Sequence, residues 1–239
     1  MWLAQPSHEV FMPRLSRFAA LPVLFAALAL APRASADEPA PPREGAAPVS
    51  PAAMRASVDA YYGSEMTSSY LFMGYGAVTA GAGGLSLTQG GDFARGLGLS
   101  SLILGGVTLL GGAGYGVAVK IRGDHYRALA ASDPERFKLE EGERIRGTNQ
   151  RFWLYLGSEI LEAAAGIGLA TWGAVAKNDL WKGVGLGAAI QGVGLFAIDV
   201  PGAGRASRYQ DEVRRFEPRV GVSVGGGDRP WAATVGGVF

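Results

Sequence analysis

The residues best placed to do chemistry in this chain are two glutamates in an otherwise uncharged, apolar stretch. Glu159 and Glu162 are the only charged residues in 152–176, and a spacing of three puts them on one helical face. An acid inside a membrane is costly and indicates a site for a proton or another cation. Gln191, in a second uncharged stretch, can hydrogen-bond across helices. These three residues form a candidate intramembrane polar site, unless both glutamates lie at the membrane interface, solvated or paired with Arg151.

Other candidates for catalysis or metal binding are weak. His125 is the only histidine that would remain after removal of the leader described below, and it has no partners at a spacing typical of a triad or a metal site. The glycine-rich run 111–116, followed by Lys120, does not match a phosphate-binding loop, so it favours close helix packing. The chain has no cysteine. We therefore expect no enzyme, no cofactor and no metal.

The chain also shows a short internal repeat. Residues 95–107 align with 182–194 at a shift of 87 positions, which places Gly96 on Gly183 and Gly105 on Gly192. Each copy begins with a cation and then continues without charge. This pattern indicates two related pairs of segments, although short glycine-rich runs also align through composition alone.

Composition and spacing predict helices that cross a membrane. Charged residues make up 18 % of the chain, against a typical ~25 %, and glycine accounts for 37 of 239 residues. Four apolar stretches are the predicted spans: 66–91, 96–119, 152–176 and 181–200. Small residues four apart let such helices approach closely. Those expected at the packing faces are Gly76, Ala80, Gly84, Gly112, Gly116, Gly183, Gly187 and Gly192.

The predicted fold is therefore an all-α integral membrane protein with four transmembrane helices. The helices form two pseudo-repeated helical hairpins, 54–119 and 152–204. Between them, 120–151 carries eight Lys/Arg and six acidic residues. This composition predicts a soluble helical connector that continues into the third span. Within it, Ser132 is the expected capping residue of a helix that starts with a proline and carries a glutamate three residues later.

Both ends of the chain have their own character. Residues 1–36 have the three regions of a secretory signal peptide, and Met12 is an alternative start of translation; an uncleaved anchor helix is the alternative to a signal peptide. Residues 37–53 are a Pro/Ala-rich tether. The charged segment and tail, 205–239, contain alternating apolar residues that predict a small β-hairpin ending at Phe239.

Localisation follows from these features with one conflict. A cleaved signal peptide predicts a bacterial inner-membrane protein with a periplasmic amino terminus. Four spans then put the connector on the periplasmic side, whereas its excess of Lys/Arg favours the opposite orientation. The alternation in the tail also suits an outer-membrane β-barrel. However, the stretch 99–112 is apolar on both faces, which disfavours barrel strands.

For function, the sequence favours a non-enzymatic envelope protein with a role in assembly or interaction. The expected partners are the lipid bilayer, further copies of the chain or other envelope proteins. The alternative is a small oligomeric channel or transporter that uses Glu159 and Glu162 with Gln191. A net charge of +1 argues against nucleic-acid binding.

Overall fold

The structure is a computed structural model that describes residues 48–218 and two short strands. The strands, β1 Val222–Val224 and β2 Ala233–Val235, pair antiparallel. The residues that connect them lie outside the described part of the chain, so the hairpin tail stays a prediction. The predicted signal peptide, most of the predicted tether and Phe239 also lie outside the described residues.

Four long helices make up nearly all of the described chain. They are α1 Pro51–Thr88, α2 Asp92–Ser132, α3 Pro134–Val175 and α4 Asp179–Arg215. The predicted all-α class with four helices is confirmed. The outer-membrane barrel is wrong for this part of the chain, because the apolar stretches that would have to be strands are helical.

Side-chain caps define where three of these helices begin. The hydroxyl of Ser50 accepts from a backbone N–H of α1, and the carboxylate of Asp133 and the amide oxygen of Asn178 do the same for α3 and α4. The prediction that Ser132 caps α3 is wrong. Ser132 ends α2 instead, and its hydroxyl donates to the carbonyl oxygen of Ala128 at 2.9 Å.

Short turns make each pair of helices antiparallel. Residues 89–91 join α1 to α2, and Gly90 and Gly91 take φ values of +74° and +82°, which favour glycine. Residues 176–178 join α3 to α4, with Lys177 also at positive φ. Both pairs are therefore tight helical hairpins.

Helices α1 and α2 meet at glycines, backbone to backbone. A Cβ atom added to Gly83 would lie 2.5 Å from the backbone nitrogen of Leu102 and 2.8 Å from the carbonyl oxygen of Gly98. A Cβ atom added to Gly105 would lie 2.5 Å from the backbone nitrogen of Ala80. Only residues without a side chain allow helices to approach this closely.

Helices α3 and α4 meet in the same way. A Cβ atom added to Gly185 would lie 2.6 Å from the carbonyl oxygen of Gly166, and one added to Gly192 would lie 2.6 Å from a backbone nitrogen of α3. Gly185 and Gly192 follow Gly98 and Gly105 by 87 positions. Glycines thus make the closest contacts in both pairs of helices.

The two hairpins join through α2 and α4. Gly96 lies against the backbone of Leu180, and Gly183 lies against the backbone of Phe93. Helix α1 adds a contact with α4, whereas α2 and α3 pack only sparsely on each other. The sparse packing leaves a gap between α2 and α3.

The two ends of the bundle have opposite polarity. In the turn half, residues 67–118 and 152–200, glycines form the contacts between helices and many large apolar side chains face outward; Leu110, for example, is 74 % exposed. Further exposed apolar residues occur on all four helices: Leu71, Val78, Leu85, Ile103, Val107, Leu154, Leu161, Ile167, Val175 and Val193.

The connector half, residues 48–66, 119–151 and 201–216, has the reverse arrangement. Large apolar side chains form a buried core there: Met54, Val58, Tyr61, Tyr62, Tyr126, Leu129, Phe137, Ile145, Tyr209, Val213 and Phe216. The predicted connector thus packs against α1 and α4. The segment boundaries predicted after residues 53 and 204 differ from the ends of the helices. Helix α1 starts at Pro51, and α4 continues past Pro201 to Arg215.

Two of the four helices, α2 and α4, are long and apolar enough to cross a membrane. By the usual rise of 1.5 Å per residue, the 41 residues of α2 extend about 60 Å. A hydrocarbon core is about 30 Å thick, so the helix is long enough to span it and continue into water.

Candidate functional site

A cavity of about 480 Å³ lies between all four helices, where the turn half meets the connector half. It contains three carboxyl groups that come from three different helices, Glu65 of α1, Glu159 of α3 and Asp199 of α4. The other polar side chains in its lining are Ser68, Thr108, Tyr115, Arg122, Thr148, Arg151 and Tyr155.

Glu65 is the most deeply buried acid of this cavity, with 4 % of its surface exposed. The hydroxyl of Tyr115, on the neighbouring helix α2, donates to its Oε2 atom. Its Oε1 atom is buried and has no hydrogen-bond partner in the described structure. A buried carboxylate oxygen without a partner is costly, so this atom offers a ligand for something that enters the cavity.

Glu159 and Asp199 form a carboxyl pair between α3 and α4. Their side chains lie within hydrogen-bonding reach of each other, and Glu159 is only 7 % exposed. Its Oε2 atom is also buried without a partner. Two carboxylates this close repel each other when both are ionised, so the pair favours a shared proton or a bound cation.

The cations near the cavity do not form ion pairs with these acids. The Nη2 atom of Arg205 donates to the hydroxyl of Ser68 at 2.6 Å, and its Nε atom is buried without a partner. Among the described residues, every Lys or Arg within 4.0 Å of a carboxylate contacts an acid outside this cavity. Glu65 and Glu159 therefore each keep a carboxylate oxygen free to bind a ligand.

Deeper in the turn half, polar groups continue along the interface of the hairpins. The amide of Gln191, which is 1 % exposed, donates to the hydroxyl of Thr108 at 2.6 Å, the cross-helix hydrogen bond that the sequence predicts. The hydroxyl of Tyr75 donates to the carbonyl oxygen of Ile190 at 2.8 Å. Glu162 is half-buried, and its Oε1 atom has no partner in the described structure.

The structure thus brings together only part of the predicted polar site. Glu159 lines the cavity, Gln191 contacts its wall through Thr108, and Glu162 lies outside the lining. Sequence reasoning missed Glu65 and Tyr115. Glu65 served only to mark the edge of an uncharged stretch, and no local pattern pairs it with a tyrosine 50 positions away.

The small residues predicted at the packing faces lie at helix contacts with one exception. A Cβ atom added to Gly76 would lie 2.7 Å from a carbonyl oxygen of α2, whereas nothing lies within 4 Å of one added to Gly84. Gly83 makes the contact instead, so the prediction that Gly84 lies at a packing face is wrong. The others meet neighbouring helices: Ala80, Gly112, Gly116, Gly183, Gly187 and Gly192.

The connector half contains a second buried charge, but that charge is fully paired. Glu141 is 0 % exposed; Arg144 donates to its Oε1 atom at 2.7 Å and Tyr62 donates to the same atom at 3.1 Å. The guanidinium also lies 5.5 to 5.7 Å from the ring centres of three tyrosines. Burial, reinforced by the charge of Glu141, raises the pKa of the Tyr62 hydroxyl well above its usual range. This cluster is satisfied and serves the fold.

His125 is exposed, with its Nε2 atom 3.5 Å from Glu140. Within the described residues, no three His, Asp or Glu side chains lie close enough together to hold a metal ion. In comparisons with known proteins, no family profile, curated protein or solved structure matches this chain.

Proposed function

We propose that the turn half of the bundle lies in a membrane and that the connector half projects into water. The support is the outward-facing apolar surface on all four helices of the turn half. Helices in lipid can face apolar side chains outward and pack through small residues, whereas a soluble bundle needs the reverse. The uncharged stretch 96–119 of α2 measures about 36 Å, enough to cross the hydrocarbon core.

Four spans follow from the way the helices pair. Helices α1 and α3 lack a stretch as apolar as those of α2 and α4, but each packs along α2 or α4 through glycine contacts. A helix held backbone to backbone against a spanning helix crosses the same layer. We further propose that the two hairpins are internal repeats, because the contacts of Gly96 and Gly183 are reciprocal.

We infer that the acid-lined cavity binds a cation and that the protein is a small membrane transporter or channel for it. One observation carries this proposal: Glu65 and Glu159 are both more than nine-tenths buried, and each has a carboxylate oxygen without a partner. Unpaired acids at membrane depth are typical of ion and proton pathways. A proton is the simplest occupant, since the Glu159–Asp199 pair can share one.

The polar groups of α2 and α4 extend this site toward the turns. Gln191 with Thr108, and Tyr75 with the carbonyl oxygen of Ile190, continue the line of polar groups beyond Glu159. A single chain supplies all of them. The site therefore needs no oligomer to enclose it, unlike the pore that the sequence suggested.

Reconstituted vesicles test the proposal directly. Purified protein is placed in phosphatidylcholine vesicles loaded with K⁺ and a pH-sensitive dye, and valinomycin sets an inside-negative potential. We expect faster acidification than in protein-free vesicles, and loss of that activity in Glu159→Gln and Asp199→Asn. Glu140→Gln, at a half-buried acid in the connector half, is the matched control and should conduct normally.

Parallel measurements with Na⁺ and K⁺ gradients identify a metal cation as the transported species. If folded wild-type protein moves none of the three cations faster than empty vesicles, the transport proposal fails. It fails as well if Glu159→Gln conducts like the wild type.

An assembly or interaction role in the envelope remains the second proposal, favoured by the water-exposed, charged surface of the connector half. It predicts that deletion of residues 219–239 removes partners that co-purify with the full chain after cross-linking. Under this proposal Glu159→Gln has no effect on partner recovery. Under this second proposal the protein lies in the bacterial inner membrane, and its partners include lipid and further copies of the chain.

A further inference from the structure

A second cavity, of about 610 Å³, opens between α2 and α3 at the level where the uncharged stretches end, and it shares Arg122, Thr148 and Arg151 with the lining of the first cavity. We propose that it binds the phosphate headgroup of an anionic phospholipid. Its basic lining residues are Arg122 and His125 of α2 together with Arg144, Arg146 and Arg151 of α3; Glu143 is the one acid in the lining.

Three of these arginines are available to a ligand. Arg122, Arg146 and Arg151 are exposed, and none has a carboxylate within 4.0 Å among the described residues. Arg144 is not available, because its guanidinium is bound to Glu141 beneath the tyrosine rings. Guanidinium groups pair with phosphate oxygens through two parallel hydrogen bonds, so three of them converging on one cavity favour a phosphate.

The position of the cavity selects a lipid over a soluble phosphate compound. Arg122 follows the uncharged stretch 96–119 of α2 closely, and Arg151 directly precedes the apolar stretch of α3. Both guanidinium groups therefore lie where lipid headgroups lie, given the membrane placement proposed above. Exposed Trp153 and Tyr155 follow on α3, as interfacial anchors do.

The sparse packing between α2 and α3 gives such a lipid lateral access. Acyl chains can lie along the exposed apolar side chains of the two helices, including Val117 and Leu154, while the headgroup enters the cavity. Thr148 and Gln150 add hydrogen-bonding groups to the lining. Basic pockets between membrane helices are a known way to bind anionic headgroups.

Native mass spectrometry of the full chain in dodecylmaltoside tests this site. The protein is titrated with dioleoylphosphatidylglycerol, dioleoylphosphatidylcholine or inorganic phosphate. We expect selective retention of the phosphatidylglycerol, no retention of inorganic phosphate, and a loss of about fivefold in affinity for each of Arg122→Gln and Arg146→Gln. Arg95→Gln removes an exposed arginine from the opposite end of the spans and should bind as the wild type does.

Two results would overturn the inference: equal retention of both lipids by the wild type, or unchanged affinity in the Arg122→Gln, Arg146→Gln double variant. Displacement of the lipid by millimolar phosphate would overturn it too, by assigning a free-anion site. The inference rests on the membrane placement but not on the cation site. Carbonate extraction of expressing membranes separates the two, since a protein released by carbonate refutes the placement itself.

Discussion

The packing of α1 on α2 predicts that alanine substitutions at two neighbouring glycines change the free energy of unfolding in opposite directions. Gly83 lies on the backbone of α2, and Gly84 faces open space. Each is replaced singly by alanine. The added methyl group is the same in both variants, and only its surroundings differ.

The magnitude follows from two terms. Alanine is favoured over glycine within a helix by up to about 1 kcal/mol, and this gain applies at both positions. At position 83 the new Cβ atom would lie 2.5 and 2.8 Å from backbone atoms of α2, so the helices must separate. Overpacking of this kind costs about 1–3 kcal/mol. We therefore expect Gly84→Ala to be neutral or stabilising by up to about 1 kcal/mol and Gly83→Ala to be the less stable variant by about 1–3 kcal/mol.

Equilibrium unfolding in mixed dodecylmaltoside–SDS micelles, followed by tryptophan fluorescence and circular dichroism, measures both free energies. The second hairpin supplies an independent pair, Gly166 at the contact and Gly168 in open space. Equal effects within each pair, or a larger loss at Gly84 and Gly168, would refute the packing register. A larger loss at Gly84 would place the contact between α1 and α2 at Gly84, where the sequence predicted it, one residue away from Gly83.

Two further predictions concern the connector half. Glu141→Gln removes the fully buried partner of Arg144 and should lower the free energy of unfolding by about 3–5 kcal/mol. Glu140→Gln removes a pair at the surface and should lower it by less than about 1 kcal/mol. Urea unfolding in detergent measures both values, and equal losses would contradict the buried pairing. Burial raises the pKa of Tyr62 and Tyr209 in the folded state, while the unfolded chain ionises near the usual value of about 10. The contribution of these two tyrosines to stability should therefore be constant below about pH 10 and fall above it by about 1.4 kcal/mol per pH unit for each tyrosine, and Tyr62→Phe should reduce that slope by one tyrosine's share.

The sequence predicted the helices well because their signals are local. Uncharged stretches and a proline after a capping residue each act within a few positions, and together they indicate the helices. The helix ends were harder to predict. Ser132 and Asp133 are both good capping residues, and only the backbone geometry shows that Asp133 caps α3.

The candidate site was predicted only in part, because its members are distant in sequence. Glu159 stood out as an acid among apolar residues. Glu65 did not, since it precedes its uncharged stretch and looks like an ordinary end of a span. Its carboxylate accepts a hydrogen bond from Tyr115 of α2, and that contact arises from the antiparallel pairing of two helices. A residue pair 50 positions apart leaves no periodic pattern to read.

The place of the cavity follows from the change in packing along the bundle. In the turn half, glycines bring the helices into backbone contact; in the connector half, residues such as Tyr62 and Phe137 hold them apart. Interhelical distance depends on the side chains at the contact, so the helices must diverge between the two halves. The divergence leaves a space at the junction that neither glycines nor the aromatic core fills. Because the junction adjoins the half that we propose to project into water, polar side chains can line that space, and this is where Glu65, Glu159 and Asp199 are found.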